Sequence, residues 1–190
     1  GAALGYTSTG VDIDADGGSL DDDSWSMSVY GTYYPTEHFY LEGSATYGWD
    51  RYDQDRNLEH SPLGGQRTAN AGFDGDQYTL MFGAGYDLIH GATIFDLYGR
   101  LQYTSATLDS YREQGADGLD LIIQGQDAIS VKSILGTQVS RSISTRSAVL
   151  SLQGWLQWEH EFEDGDEEVT GYFANDPNQS WMRFPGQRTD

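Results

Sequence analysis

Large side chains recur eight residues apart along this chain, and the residues of the same parity between them are apolar or glycine. The pairs are Trp25/Tyr33, Phe39/Tyr47, Tyr78/Tyr86, Phe95/Tyr103 and Leu150/Trp158. Between them stand Met27, Val29 and Gly31; Leu41, Gly43 and Ala45; Leu80, Phe82 and Ala84; Leu97, Gly99 and Leu101; and Leu152, Gly154 and Leu156. The opposite parity is polar, with Ser26, Ser28, Tyr30 and Thr32, then Glu42, Ser44 and Thr46, then Asp96, Tyr98, Arg100 and Gln102, then Ser151, Gln153 and Gln157. A period of two with one apolar face predicts β-strands. Eight extended residues span about 26 Å, or about 20 Å along a membrane normal at a strand tilt of about 40°. A soluble sandwich also alternates, but it needs no aromatic residues at both ends of the apolar face with small ones in its middle. The pattern therefore predicts a transmembrane barrel whose lipid-facing band lies between two aromatic girdles, with a soluble all-β binding domain as the competing reading.

Seven strands follow, over about 1–9, 24–34, 38–52, 76–88, 93–109, 128–141 and 147–163, and helical periodicity is nowhere sustained. Their connections alternate in length. Long ones cover about 10–23, 53–75 and 110–127, and short ones lie at Pro35–Glu37, Ile89–Ala92 and Ser142–Arg146. A bacterial outer-membrane barrel keeps its short turns in the periplasm and its long loops outside. On that assignment Tyr33, Phe39, Tyr86 and Phe95 form the inner girdle. Trp25, Tyr47, Trp49, Tyr78, Tyr103 and Trp158 form the outer one. Residues 1–163 then make barrel strands with long acidic extracellular loops, and 164–190 begin a further loop in which Val169–Phe173 extends as part of a hairpin.

Composition changes this picture in three ways. No run of 18 apolar residues exists to form a spanning helix, which leaves a spanning barrel open. A net charge of −20 with ten basic residues excludes nucleic acid as a partner, since phosphate binding needs clustered Lys and Arg. The absence of cysteine rules out a disulfide framework. The acids gather at Asp12–Asp23, with six Asp, and at Glu159–Glu168, with seven acids. Both fall on the long-loop side, where solvated negative surface is the plain reading. The chain begins at Gly1 and ends in a polar stretch, and it reads as a piece of a longer exported protein.

Candidate chemistry is sparse. Asp12, Asp14 and Asp16, with Gly17 next and Asp23 at the twelfth position, match the oxygen spacing of a calcium loop, though the twelfth ligand is not the longer Glu and the flanks read as strands. The competing reading is an unliganded acidic loop. Glu42, Asp96, Arg100 and Lys132 are charges on the polar parity, where a barrel would place them in its lumen. The four His, at 38, 60, 90 and 160, lack a metal-ligand spacing. No nucleophile elbow, phosphate-binding glycine loop or catalytic Cys is present, so no enzyme activity and no required cofactor is expected.

Seven short runs, in this order and spacing, resemble the translocator domain of classical autotransporters, the carboxy-terminal outer-membrane barrel of type V secretion. They are Gly1-Ala2-Ala3-Leu4-Gly5-Tyr6, Tyr30-Gly31-Thr32-Tyr33-Tyr34-Pro35, Phe39-Tyr40-Leu41-Glu42-Gly43, Gly83-Ala84-Gly85-Tyr86-Asp87, Tyr98-Gly99-Arg100-Leu101-Gln102-Tyr103, Tyr111-Arg112-Glu113 and Trp158-Glu159-His160-Glu161-Phe162. The resemblance implies an antiparallel meander of twelve strands, with two before this segment and three after it. It implies an upstream passenger domain in the same polypeptide, joined by a helix that threads the lumen, and a barrel in the outer membrane of a Gram-negative bacterium that helps export it. The barrel-assembly machinery and outer-membrane lipid are the implied partners. A stand-alone adhesin or porin-like barrel that binds ligands through its acidic loops is the alternative.

Overall fold

A computed structural model describes residues 1–13, 17–58, 65–163 and 168–185. Five strands come first: β1 (Ala2–Ile13), β2 (Gly18–Tyr33), β3 (Phe39–Leu58), β4 (Arg67–His90) and β5 (Thr93–Leu108). Two short ones, β6 (Tyr111–Arg112) and β7 (Leu121–Ile123), precede the long β8 (Gln126–Ser144) and β9 (Val149–Glu161). Then come β10 (Glu168–Phe173) and β11 (Met182–Pro185). The seven long strands form one antiparallel meander in the order β1-β2-β3-β4-β5-β8-β9, and the short ones form a second sheet in the order β11-β10-β7-β6. Among the described residues β1 and β9 each pair on one side only.

The large sheet is inside-out relative to a soluble sandwich. Its bulky apolar side chains stay on the open face, with Leu101 and Phe82 each 60% exposed and Leu156 73% exposed. Buried hydrophobic residues among those described are only Tyr40, Ala69, Ala71, Tyr98, Ala116 and Ile123. A water-soluble fold would have had to hide the first set, because the transfer of such area from water is its main driving force. The soluble reading has no core to rest on.

Register shows how the strands lean. Successive register partners from Tyr33 are Leu41, Ala84, Gly99, Leu135 and Trp158. Tyr33 sits beside a short turn, whereas Trp158 lies eight residues beyond Leu150, the first such outward residue after another short turn. The row thus climbs eight residues in five strand-to-strand steps, which corresponds to a tilt of about 45°. This slant is what closing a sheet into a barrel demands.

Two of the expected long loops are strand instead. Residues assigned to the 10–23 and 53–75 connections continue β1/β2 and β3/β4 as projecting hairpins, with Ile13 opposite Gly18 and Leu58 opposite Arg67. Polar residues dominate these extensions, and the alternation of Ala69, Ala71 and Phe73 is too short to mark a strand by periodicity, but the backbone ladder does not require apolar residues. Of the calcium-loop candidates, Asp14 and Asp16 lie outside the described residues. Asp12 pairs with Ser19 and Asp23 with Ser8, four rungs and about 13 Å apart along the hairpin, so the two ends of the spacing do not converge.

The third long connection folds onto the projecting β3/β4 hairpin. Phe73 stacks on Tyr111 with ring centroids 4.2 Å apart and on Tyr52 at 5.1 Å. Asn70 and Gln114 exchange backbone hydrogen bonds at 2.8 and 2.9 Å, covering the free edge of β4. Arg56 holds Glu113 through a forked pair, Nε donating to Oε1 at 2.8 Å and Nη2 to Oε2. Glu113 is 3% exposed, and its Oε2 also accepts the Leu121 amide at 2.9 Å. The hydrogen bond to that carboxylate raises the Arg56 pKa above its ordinary value. Residues 168–173 join this unit through β10, where Gly171 meets Ile123, so the tail packs with the 110–127 connection, and the expected Val169–Phe173 hairpin forms with β11.

Replacing Glu113 by Ala strands the Arg56 guanidinium and should cost this lobe about 3 kcal/mol. Native-state hydrogen exchange at Leu121 would then speed up roughly 100-fold, with Glu113→Gln intermediate and the exchange of β8 and β9 unchanged.

Candidate functional site: the inner face of the sheet

Alternation puts the polar parity of every long strand on one surface, and register sorts it into rows. One runs Thr32, Glu42, Gly83, Arg100, Ile134 and Glu159. The row on its short-turn side holds Tyr40, Gly85, Tyr98, Gly136 and Gln157. On its other side, past one intervening row, stand Ser28, Thr46, Thr79, Thr104 and Ser130. That last row is a ladder of hydroxyls, with Ser28 to Thr46 at 2.8 Å and Thr79 to Thr104 at 3.1 Å.

The charged candidates are arranged across strands rather than along them. Arg100 on β5 donates from Nε to Oε1 of Glu42 on β3 at 2.6 Å, passing over β4 at Gly83. A Cβ at Gly83 would lie 2.9 Å from both Arg100 Cγ and Glu42 Oε1. The Tyr40 hydroxyl reaches the Asp96 carboxylate, 2.9 Å to Oδ1 and 3.1 Å to Oδ2, over Gly85. Tyr98 on β5 donates to Gln157 Oε1 on β9 at 3.3 Å, over Gly136 of β8. Cβ atoms at Gly85 and Gly136 would overlap the Tyr40 and Tyr98 rings. Each link therefore skips one strand, and each crosses a glycine that leaves it room. The Arg100 guanidinium also lies 4.3 Å from the Tyr98 ring centroid, a cation–π contact.

Three of the four charges predicted for the lumen, Glu42, Asp96 and Arg100, thus belong to one linked patch. Lys132 stands apart, opposite Glu161 in register, while Glu161 accepts Ser130 Oγ and the Val131 amide, each at 2.7 Å. The patch also recruits Tyr40, Tyr98 and three glycines that strand alternation alone did not single out. The available signal was glycine on the polar parity, as in Gly83-Ala84-Gly85. On the apolar parity the glycines are less crowded: a Cβ at Gly31 or Gly154 would meet nothing within 4 Å, and one at Gly43 or Gly99 would lie 3.6 Å from the Met81 carbonyl or 3.3 Å from Leu135.

On the outward face the girdle residues fall into contiguous groups. Trp25 faces Trp49 and Tyr47 faces Tyr78 across the ladder, and Tyr78 and Tyr103 stand with ring centroids 5.7 Å apart. Phe39 faces Tyr86, and Phe95 faces Leu88. Tyr33 and Trp158 mark opposite ends of the slanted row, at 67% and 58% exposure.

A tilted antiparallel sheet that is apolar outside and polar inside is the wall of a membrane-spanning β-barrel. The autotransporter β-domain family model matches residues 1–189, and the chain belongs to that family of outer-membrane translocator domains. It is 27% identical over 194 residues to outer membrane protein A of Rickettsia conorii (strain ATCC VR-613 / Malish 7), covering 95% of this chain and 10% of that protein. It is 28% identical over 169 residues to an extracellular serine protease of Serratia marcescens, covering 85% of this chain and 15% of that one. Its fold is shared with the translocator domain of the autotransporter NalP from Neisseria meningitidis, at a TM-score of 0.72 and 16% identity, over 90% of this chain and 61% of that chain.

Gly85→Ala should destabilise the sheet by about 1–3 kcal/mol through overlap with Tyr40. In urea unfolding from detergent micelles, the double variant Gly85→Ala/Tyr40→Ala should lose less than the sum of the single changes, because the second removes the ring that the first strikes.

Proposed function

We propose that this chain is the wall of an outer-membrane translocator that anchors an upstream passenger of the same polypeptide and helps bring it to the cell surface. The observation that carries the reading is the division of one sheet into an apolar outward face and a polar, glycine-floored inner face, in a chain of the autotransporter β-domain family. The inner face offers hydroxyls, amides and paired charges to a polypeptide in transit, and no broad apolar patch that would hold it. Strands outside this sequence would pair with β1 and β9 and close the barrel, which is consistent with the 61% coverage of the NalP chain. The barrel-assembly machinery is the partner expected to seat it in lipid.

The contrast between short turns at one end of the sheet and projecting hairpins with the second sheet at the other supports an orientation with the short turns in the periplasm and the hairpins outside. The charges agree with this, since Asp12, Asp21, Asp22, Asp53, Asp55, Asp117 and Asp120 all lie at the hairpin end. An acidic surface is stable in water and not in hydrocarbon.

This chain contains no cysteine, so single substitutions can report the topology. In intact cells producing the full-length protein, Asp117→Cys should react with a membrane-impermeant maleimide and Arg146→Cys only after the outer membrane is opened. The reverse pattern would invert the orientation. Labelling of the upstream region in intact cells should be lost when residues 1–163 are deleted; surface labelling that survived the deletion would refute the export role.

A further inference from the structure

On the outward face, at the hairpin end of the apolar band, lies a recess of about 710 Å3 walled by Tyr6, Trp25 and Trp49. The Tyr6 ring stands 5.0 Å from Trp25, and Trp49 meets Tyr47 edge-on at 4.8 Å. Trp25 and Trp49 remain 59% and 50% exposed, so ring faces are open to a ligand. Carboxylates ring the same space. Asp23 accepts the Tyr6 hydroxyl at 2.8 Å and Asp76 the Tyr47 hydroxyl at 2.6 Å, which sets both acids beside the aromatic wall. Asp74 and Asp109 also line the recess, and Arg51 is its one basic residue, 3.9 Å from Asp74 with both side chains largely exposed. Asp50 borders it too, but on the parity of Glu42, Ser44 and Thr46, which turns its carboxylate to the inner face of the sheet. Four carboxylates, those of Asp23, Asp74, Asp76 and Asp109, against one guanidinium leave the recess short of positive charge.

Aromatic faces flanked by carboxylates are the chemistry that holds an organic ammonium group. A phosphate or other anion would meet net repulsion here. Below the tryptophans the same face continues through Met27, Tyr47 and Tyr78 and then Val29, Ala45 and Leu80, so the recess opens onto the apolar band. We propose that this recess binds an amphiphilic ammonium ligand, its headgroup between the Trp25 and Trp49 rings and the Asp23 and Asp76 carboxylates, and its chain along Met27 and Val29. The placement of the chain rests on the membrane reading above, whereas the headgroup site rests on the recess alone.

The test is a titration of the full-length protein, in neutral dodecyl maltoside micelles, with dodecylammonium chloride, followed by tryptophan fluorescence. A saturable change is expected, its apparent affinity falling at least tenfold in Asp23→Asn/Asp76→Asn and in Trp49→Leu. The charge-matched pair Glu37→Gln/Glu163→Gln, remote from the recess, should bind as the unaltered protein does. Far-UV circular dichroism identifies any variant that misfolds, and the other site variant then carries the comparison. Equal weakening in the remote pair would reduce the effect to diffuse attraction by an acidic protein and overturn the proposal, as would unchanged affinity in both folded site variants. Displacement by decyl glucoside as effective as by decylammonium would make the recess a sugar site instead. Binding of tail-free spermidine as tight as that of dodecylammonium would remove the amphiphile, with the topology labelling left standing.

Discussion

Hydrocarbon offers a backbone no hydrogen-bond partner, so a chain that crosses it as strands must satisfy every amide from the neighbouring strand. The rest of this structure follows from that constraint. Antiparallel ladders run unbroken from β1 to β9, and the side chains are then free to differ by face alone. Leu101, Phe82 and Leu156 turn outward without cost where lipid is the solvent, and the polar parity turns inward. The sheet holds together by its ladder rather than by a packed apolar core, which is why so few hydrophobic residues are buried.

Without such a core, the inner face needs another means of fixing its curvature and register. Strand-skipping links supply it. Glu42 with Arg100, Tyr40 with Asp96 and Tyr98 with Gln157 each tie strands that are not neighbours, and Gly83, Gly85 and Gly136 clear the path beneath them. A link of this kind is sensitive to a slip of one residue, because slippage would carry every inward group to the lipid side. Within the wall Glu42 pairs with Arg100 and Asp96 accepts the Tyr40 hydroxyl, while many acids crowd the projecting hairpins, where water and salt screen them.

Beyond the band the rules change to those of a soluble protein. The projecting β3/β4 hairpin buries Ala69 and Ala71, stacks Phe73 between Tyr52 and Tyr111, and closes around Glu113 with Arg56. Gly115 and Gly118, at φ of 102° and 99°, let the intervening turn approach that far, Gly115 lying so close to the Thr68 carbonyl that a Cβ would stand 2.8 Å from it. One chain thus carries a wall built for lipid and a small lobe built for water, and the change falls at the aromatic row on the hairpin side. The ammonium recess sits on that same boundary, where aromatic rings and carboxylates can occur side by side.

The strands, their two faces and the seven-strand meander were legible from residue order because they depend on local rules: period two, side-chain class and turn length. The hairpin extensions at Asp53–Leu58 and Arg67–Gly75 were not, since polar residues dominate them and the one alternation they hold, Ala69, Ala71 and Phe73, is short and built mostly of small side chains. Nor was the partner of Arg100, which lies 58 residues away on a strand that is not adjacent, nor the pairing of β7 with β10 across 48 residues or more. The sequence by itself determined which surface meets lipid and which meets the lumen, because one residue's side chain and parity suffice for that. Only the tertiary structure decided which inner charges are joined, which glycines make space for them and what folds over the outer hairpins, because those depend on the register between strands that are distant in the chain.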